Sequence, residues 1–190
     1  MSKKDNKIIV KHGIGHIDTL ITKLCLSTLD FWNGIGVTPN ILTTFGLVAS
    51  VLSLYFFYNK NAEYAILFLM IRCYFDYSDG LLARKFNQMS EIGDWYDHIT
   101  DWLYGIGIFI IISKISHNRL FHLSFVGLFT CLYLIHMGCI EKEYIKYLKK
   151  ETSISRLRHY SVNPKLMKYF DNGTLYLAII WVMILISKQK

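Results

Sequence analysis

The sequence has few of the residues that interrupt or cross-link a fold. It contains two prolines and four cysteines among 190 residues, and the cysteines form neither a C-x-x-C pair nor a regularly spaced framework. We therefore exclude a disulfide-stapled fold and expect four reduced, packed thiols, at Cys25, Cys73, Cys131 and Cys139. Internal repeats and low-complexity segments are also lacking, which favours one compact unit.

Charged residues are scarce as well, at 18% of the chain, whereas hydrophobic residues make up 53% and the mean hydropathy is +0.30. The apolar residues are concentrated in runs close to the roughly 20 residues that cross a bilayer as a helix. This pattern predicts a multi-pass membrane protein and excludes a soluble nucleotide-binding protein. The Lys and Arg residues behind the net charge of +7 lie between the apolar runs, which indicates positive-inside topology rather than a nucleic-acid partner.

The first 35 residues are predicted to form a cytosolic arm and a juxtamembrane helix. Residues 1–11 are Lys-rich and polar, which favours a position near anionic headgroups and argues against a cleaved signal peptide. From about Ile17 to Trp32, apolar residues alternate with polar ones at helical spacing. This pattern indicates either an amphipathic helix in the membrane interface or an ordinary packed helix of the bundle.

Residues 36–190 are predicted to form an all-α, polytopic transmembrane bundle. Thr38 and Pro39 suit the cap and first turn of the first span, and Ser90 suits the cap of the third, with Glu91 in its first turn. Whether the basic segment 141–169 contains a sixth span is left open by the sequence. The five other spans are expected at about 39–58, from 64 into the acidic stretch after residue 75, 90–113, 120–139 and 175–186.

Basic residues also predict how the bundle is oriented. Lys and Arg are densest before residue 12, at the Arg84-Lys85 turn and in segment 141–169. The positive-inside rule assigns all three regions to the cytosolic side. We therefore expect a site near the turn to open to the cytosol, and the C-terminus to lie on the other face.

Four aspartates occupy helical positions between apolar runs: Asp76, Asp79, Asp97 and Asp101. An Asp near the centre of a membrane helix costs about 2.5 to 3.5 kcal/mol, so such residues mark a functional site. Residues three or four apart share a helix face, and a short turn near 86–90 predicts antiparallel neighbouring helices whose acidic pairs face one cavity. Clustered carboxylates need cations, and oxygen ligands favour two Mg²⁺ or Mn²⁺ ions, a clamp suited to phosphoryl transfer.

Small and basic residues accompany the acids. Gly80 and Ala83 leave room for a bulky group to approach. Gly93 permits close helix contact, and Arg84 supplies a cation at the cytosolic end. Taken one at a time, these residues are better explained by packing, for the glycines and the alanine, and by anchoring at the interface, for Arg84.

Together they form the pattern D-x-x-D-G-x-x-A-R, eight residues, G-x-x-x-D-x-x-x-D, with every specified position present from Asp76 to Asp101. This pattern resembles the signature of the CDP-alcohol phosphotransferase family. The segment T-P-N-I-L-T-T-F-G at 38–46 is similar to the start of the first span in those enzymes, and beyond about residue 115 the likeness is confined to hydropathy. Family members usually have six spans, so the acceptor pocket is the part left least defined here.

The resemblance implies an integral-membrane enzyme of phospholipid biosynthesis that transfers a phosphoryl-linked group from a CDP-alcohol to an alcohol and releases CMP. The four aspartates of the motif then hold two Mg²⁺ or Mn²⁺ ions, and the last of them, Asp101, also deprotonates the acceptor hydroxyl. A homodimer is expected on the same ground. The nucleotide-binding positions of the family match Gly80, Ala83, Arg84 and Gly93.

The substrates are less defined than the family. The compact length favours CDP-diacylglycerol as donor and a polyol or polyol phosphate as acceptor. Asp97-His98 instead resembles choline and ethanolamine phosphotransferases, which use a CDP-amino alcohol and diacylglycerol. Further substrate-binding residues are predicted at Asn40 and Thr43, for the diphosphate or headgroup, and at Arg156 and Arg158, for an acceptor phosphate.

Two interpretations of the acidic residues stay open. Asp94 lies outside the motif and is interpreted first as a solvated interface residue and second as a support for the metal ligands. A non-catalytic carrier of divalent cations would also use an acidic cluster, but it would need acids spread across the depth of the bilayer. The motif acids are instead clustered toward one end of their spans.

Overall fold

The computed structural model describes residues 15–148, 153–162 and 169–189, and these residues form helices without any strand. The all-α prediction is therefore confirmed for them, and the arm at 1–11 lies outside the described residues. The helices are α1 His16–Gly34, α2 Pro39–Tyr58, α3 Ala62–Lys85, α4 Glu91–Ile115, α5 Arg119–Leu148, a 3₁₀ helix at Ser155–Tyr160, and α6 Asn172–Ser187.

Among the described residues, three helices are long and apolar enough to cross a bilayer: Pro39–Tyr58, Glu91–Ile115 and the Arg119–Lys142 part of α5. α6 is apolar but has only 16 residues, fewer than the roughly 20 that a span needs. α3 has 24 residues, but Arg72 and the two acids that follow it interrupt its apolar sequence. The five predicted spans are all helices, whereas their number as membrane spans is not confirmed.

Local capping sets the helix boundaries that the sequence predicts. Pro39 begins α2 with Thr38 at the N-cap position, although the Thr38 side chain makes no capping hydrogen bond to the described residues. The Ser90 hydroxyl caps α4 by accepting the Gly93 N–H at 3.0 Å. Between α3 and α4, Asn87 has a φ of 56°, a left-handed conformation in which asparagine is enriched. A short turn therefore joins the two acidic helices.

α5 extends beyond the predicted end of the fourth span at residue 139. It continues to Leu148, and the 3₁₀ helix Ser155–Tyr160 packs on it. This contact is close at Gly138, where a Cβ atom would collide with the Leu157 carbonyl. The described part of segment 141–169 thus contains the end of α5 and the 3₁₀ helix, and it holds no sixth span.

α1 packs on the bundle through one face and exposes apolar residues on another. Cys25 and Leu29 are completely buried in a cluster that includes α3. The Trp32 indole N–H donates to the Tyr74 hydroxyl of α3 at 2.8 Å. The opposite face exposes Leu20, at 68%, among other apolar residues. A helix with one packed face and one exposed apolar face is compatible with both interpretations of this segment.

Two acidic residues join the N-terminal ends of α1 and α6. Asp171 caps α6 by accepting the Thr174 N–H at 2.9 Å, and its other oxygen accepts two N–H groups at the start of α1 at 3.1 and 3.2 Å. Asp18 in turn accepts the Gly173 N–H at 2.9 Å and the Tyr77 hydroxyl of α3. Burial raises the pKa of Asp18 to about 6, with the Tyr77 hydrogen bond opposing this shift and the Asp171 charge reinforcing it. Each helix N-terminus is thereby satisfied by a carboxylate from the other helix.

α2 contacts both of the helices that carry the motif acids. It packs closely on both α3 and α4, whereas few close backbone contacts join α3 to α4. The short turn predicts antiparallel neighbouring helices whose acidic pairs face one cavity, and Arg72 of α3 does contact Asp101 of α4. The two acidic helices are held through α2 and through their side chains, and the apolar core lies beside them, with Phe57, Leu69, Ile108, Ile112 and Met183 fully buried.

The cysteines follow the prediction with one exception. All four are free thiols, and Cys25, Cys73 and Cys139 are buried. Cys131 is exposed on α5, so the expectation that it is packed is wrong. An exposed apolar position on a helix long enough to span a bilayer is compatible with contact to lipid.

Candidate active site

The candidate active site lies between the acidic segments of α3 and α4. Asp76 and Asp79 are three residues apart on α3, and Asp97 and Asp101 are four residues apart on α4. Asp79 is buried, and the other three aspartates are partly buried. Carboxylates removed from water in this way need charged or hydrogen-bonding partners.

A buried arginine joins the two acidic helices. Arg72 of α3 is 4% exposed, and its Nη2 donates to Asp101 Oδ1 and lies 3.7 Å from Asp76 Oδ1. Its Nη1 donates to the hydroxyl of Tyr176 on α6, and that hydroxyl donates to Asp76 Oδ2 at 3.5 Å. The predicted general base and a predicted metal ligand therefore share one cation.

A group of possible metal ligands lies on the facing side of α4. Asp97, His98 and Asp101 each offer one ligand atom, and these atoms lie within 4.8 Å of one another. Ligands bound at about 2.1 Å to one small divalent ion are themselves separated by up to about 4.2 Å, so this spacing is close to what such an ion requires. The carboxylate oxygens suit Mg²⁺ or Mn²⁺, and His98 is a candidate ligand that the motif did not predict.

Thr43 and Asn40 occupy different surroundings. Thr43 is buried, and its hydroxyl donates to Asp79 Oδ2 at 2.5 Å. Asn40 is exposed, and its amide lies beside the start of α4, where a Cβ atom on Gly93 would stand 2.9 Å from Asn40 Oδ1. Thr43 thus orients a motif acid, whereas Asn40 lies at the open end of the site.

Arg84 lies back along its own helix over Gly80. A Cβ atom on Gly80 would stand 3.2 Å from Arg84 Nη1, so the small residue permits this orientation. The Arg84 Nε is buried and has no hydrogen-bond partner among the described residues. Buried donors are normally hydrogen-bonded, so Arg84 is a candidate for contact with a ligand or a water molecule. Ala83, in the same turn, is partly buried.

Asp94 is a structural contact and not the solvated interface residue that was the preferred interpretation. Its Oδ2 accepts the Ser153 N–H at 2.8 Å, and its Oδ1 lies 3.6 Å from His98 Nε2. It therefore links α4 to the segment that carries the 3₁₀ helix. Within that segment Arg156 is exposed and Arg158 is partly buried, so the structure brings this segment to the acidic end of α4.

Three residues of this site were missed by sequence reasoning: Arg72, Tyr176 and His98. Arg72 carries a usable signal, because a charge inside an apolar run four residues before Asp76 predicts an ion pair on one helix face. Tyr176 carries none, since its contact joins residues 104 positions apart.

A family model described as CDP-alcohol phosphatidyltransferase matches residues 36–187, and the motif at residues 76–101 lies within the match. The chain belongs to this family. Its members are phosphatidyltransferase enzymes, and the family resemblance inferred from the motif is confirmed.

Curated relatives within the family carry different substrates in their names. The chain is similar to an archaetidylinositol phosphate synthase of Pyrococcus horikoshii, with 36% identity over 69 residues, which are 36% of this chain and 37% of that protein. It is also similar to a CDP-diacylglycerol-glycerol-3-phosphate 3-phosphatidyltransferase of Aquifex aeolicus, with 30% identity over 87 residues, 46% of this chain and 49% of that protein.

A CDP-diacylglycerol-serine O-phosphatidyltransferase of Bacillus subtilis is 25% identical over 95 residues, 50% of this chain and 52% of that protein. The chain thus spans about half, or less, of the length of these curated relatives. No solved structure matches the chain significantly. Two of these names specify phosphatidyl transfer from CDP-diacylglycerol, to glycerol 3-phosphate and to serine, and the third specifies archaetidylinositol phosphate as the product.

Proposed function

We propose that this protein transfers a phosphatidyl group from CDP-diacylglycerol to a polyol or polyol phosphate and releases CMP. The observation that carries the proposal is the complete acidic motif, with Asp76 and Asp101 joined across two helices by one buried arginine. The donor is supported by two relatives whose names specify CDP-diacylglycerol. The acceptor class is supported by the basic segment that carries Arg156 and Arg158.

The four motif aspartates are proposed to hold two divalent cations, Mg²⁺ or Mn²⁺. The fit rests on the oxygen ligands of the aspartates and on the spacing of Asp97, His98 and Asp101. Bound ions would neutralise the diphosphate and the departing CMP. The protein itself supplies the orientation of these ligands, through Thr43 on Asp79 and Arg72 on Asp76 and Asp101.

The chemical step needs a proton acceptor and a leaving group. Asp101 is proposed to take the proton of the acceptor hydroxyl, whose oxygen then forms a bond to the lipid-linked phosphorus. The bond between that phosphorus and the bridging oxygen breaks, and CMP leaves with the electron pair. The proton on Asp101 then passes to solvent, which restores the carboxylate.

The nucleotide is proposed to lie at the turn between α3 and α4. Arg84 has a buried Nε without a described protein partner, and it lies over Gly80. Its guanidinium suits a phosphate or a base edge. Ala83 and Gly93 keep this end of the two helices free of bulky side chains, and Asn40 lies beside Gly93.

The surroundings of this site follow from the same proposal. The site opens to the cytosol, because Lys and Arg are densest on the side of the Arg84-Lys85 turn and segment 141–169. Five helices cross the membrane. The charged residues of α3 can lie within the bilayer because they pair with one another and with other charges inside the bundle. The homodimer remains a prediction from the family.

The test is CMP release by purified protein in mixed lipid micelles with Mg²⁺ or Mn²⁺. CDP-diacylglycerol is offered with glycerol 3-phosphate, serine or a polyol phosphate, and CDP-choline or CDP-ethanolamine is offered separately with diacylglycerol. Metal-dependent CMP release that needs CDP-diacylglycerol and a phosphorylated polyol supports the proposal. Chelation of the metal with EDTA should abolish this release.

Two variants make this assay specific. Asp101→Asn is expected to lower kcat by at least about 1,000-fold, because it removes the proton acceptor and alters a metal ligand. The matched control is Glu63→Gln, an exposed acid in the first turn of α3 at the other end of that helix. Release only with a CDP-amino alcohol and diacylglycerol would overturn the proposed substrates, and no release with any pair would overturn the transferase.

A further inference from the structure

We propose that Arg72 is the positioning residue for Asp101, holding the carboxylate that accepts the proton in the proposed transfer reaction. The inference rests on the proposed role of Asp101 but concerns a residue outside the family motif. Arg72 lies four residues before Asp76, inside the apolar part of α3.

The contacts of Arg72 fix the direction of its guanidinium. Nη2 donates to Asp101 Oδ1 and Nη1 donates to the Tyr176 hydroxyl. The Cζ atom lies 4.5 Å from the centre of the Tyr104 ring, a cation–π contact. These three partners lie on two helices other than that of Arg72. The planar fork is therefore held from several sides, and its orientation toward Asp101 follows from the tertiary structure.

The link matters because little else joins the two acidic helices directly. Few close backbone contacts connect α3 to α4, so the direct contacts between these two helices are made mainly by side chains. Arg72 Nη2 contacts both carboxylates: it donates to Asp101 Oδ1 and lies 3.7 Å from Asp76 Oδ1. Asp101 also offers an oxygen to the group formed with Asp97 and His98. It thus lies between the fixed cation and the proposed metal ligands.

A purely structural role for Arg72 makes different predictions. If Arg72 only neutralises buried acids, its removal should lower both stability and metal binding, whether or not Asp101 is present. A positioning residue acts through Asp101, so its removal lowers kcat while donor binding is retained. Displacing a catalytic group by about 1 Å costs on the order of 100-fold in rate.

The experiment combines the single variants Arg72→Lys, Arg72→Gln and Asp101→Asn with two double variants, Arg72→Lys/Asp101→Asn and Arg72→Gln/Asp101→Asn. Arg72→Lys keeps the charge and loses the fork, so it tests the proposal even if Arg72→Gln fails to fold. The control is Arg119→Gln, an exposed arginine at the start of α5. Steady-state kinetics give kcat and the donor KM, and electron paramagnetic resonance of bound Mn²⁺ gives a readout that does not depend on turnover.

We expect both Arg72 variants to lower kcat about 100-fold with the donor KM within about twofold of wild type. The Mn²⁺ spectrum should change in Arg72→Lys, and this change should vanish when Asp101 is already Asn. In the same Asp101→Asn background, adding Arg72→Gln should lower kcat by less than about threefold more. Arg119→Gln should match wild type in every measurement.

Three results would overturn the inference. The first is a kcat within threefold of wild type in both Arg72 variants, and the second is an undiminished effect of Arg72→Gln when Asp101 is already Asn. The third is a loss of Mn²⁺ stoichiometry in parallel with kcat, which would assign Arg72 to stabilising the acidic group as a whole. Failure of the proposed transferase would show differently, as a wild-type protein that binds Mn²⁺ without releasing CMP, and the Mn²⁺ spectra would still test Arg72.

Discussion

The amide of Asn40 lies directly against the backbone of Gly93. A Cβ atom on Gly93 would stand 2.9 Å from Asn40 Oδ1 and 2.9 Å from the Ser90 hydroxyl that caps α4. The absence of a side chain at Gly93 therefore has two effects. It leaves room for the Asn40 side chain of α2, and it leaves room for the Ser90 hydroxyl that caps α4.

Gly93→Ala should change substrate binding more than stability. Alanine is favoured over glycine in a helix by about 1 kcal/mol, and disturbing the Ser90 cap costs about 1 kcal/mol, so the melting temperature should move by only a few degrees. Asn40 must shift, and we expect the donor KM to rise about tenfold. Gly105→Ala is the control, because nothing lies within 4 Å of a Cβ at that position of the same helix. A large drop in melting temperature with an unchanged KM would assign Gly93 to packing alone.

Thr43→Val should weaken metal-dependent activity. The hydroxyl of Thr43 donates to Asp79 Oδ2 at 2.5 Å, and hydrogen bonds to charged groups contribute about 1.5 to 3 kcal/mol. Valine keeps the shape and removes the donor, so the Mg²⁺ concentration for half-maximal CMP release should rise about 10- to 100-fold. Thr130→Val is the matched control, since that hydroxyl donates only to a carbonyl of its own helix. Equal Mg²⁺ dependence in the two variants would contradict this role.

Asp94→Ala should affect the acceptor and spare the donor. Asp94 Oδ2 accepts the Ser153 N–H at 2.8 Å and so holds the segment that carries Arg156 and Arg158. Loss of this hydrogen bond should raise the KM for a phosphorylated acceptor substrate about tenfold. It should also speed tryptic cleavage after these arginines. Asp94→Asn retains an acceptor oxygen and should stay within about threefold of wild type. If both variants leave the acceptor KM unchanged, the segment does not contribute to the acceptor site.

Asp18 should make stability fall as the pH rises. Its pKa is about 6 in the folded protein against an ordinary value of 3.8, because burial disfavours the charged form. Between these values the folded state binds a proton that the unfolded state lacks, so stability is highest below pH 3.8 and is lost through pH 6, by on the order of 3 kcal/mol.

The Asp18→Asn variant isolates this effect, because its amide oxygen still accepts from Gly173 and Tyr77 while the ionisable group is gone. Melting temperatures of the variant and wild type are compared from pH 4 to pH 7, and the variant should gain on wild type as the pH rises. A difference that stays constant across this range would show that Asp18 does not titrate there.

Much of the fold follows from local signals. Pro39 begins α2 and Ser90 caps α4 because proline fixes φ and a serine hydroxyl satisfies a free N–H, effects that act within one helical turn. The length of α5 and the packing of the 3₁₀ helix were missed. The 3₁₀ helix packs on α5 through a close approach of Leu157 to Gly138, and no local pattern encodes a contact between positions 19 residues apart.

The sequence by itself determined the family motif of this protein: four aspartates at helical spacing, the small residues and Arg84 beside them, and apolar segments around them. Spacing on a helix is a local property, and the full motif identified the family. Only the tertiary structure decided the pairing of Arg72 with Asp101, the bond from Thr43 to Asp79 and the link from Asp94 to Ser153. These contacts join residues 29, 36 and 59 positions apart, and α2 packs on both acidic helices, an arrangement that no local pattern encodes.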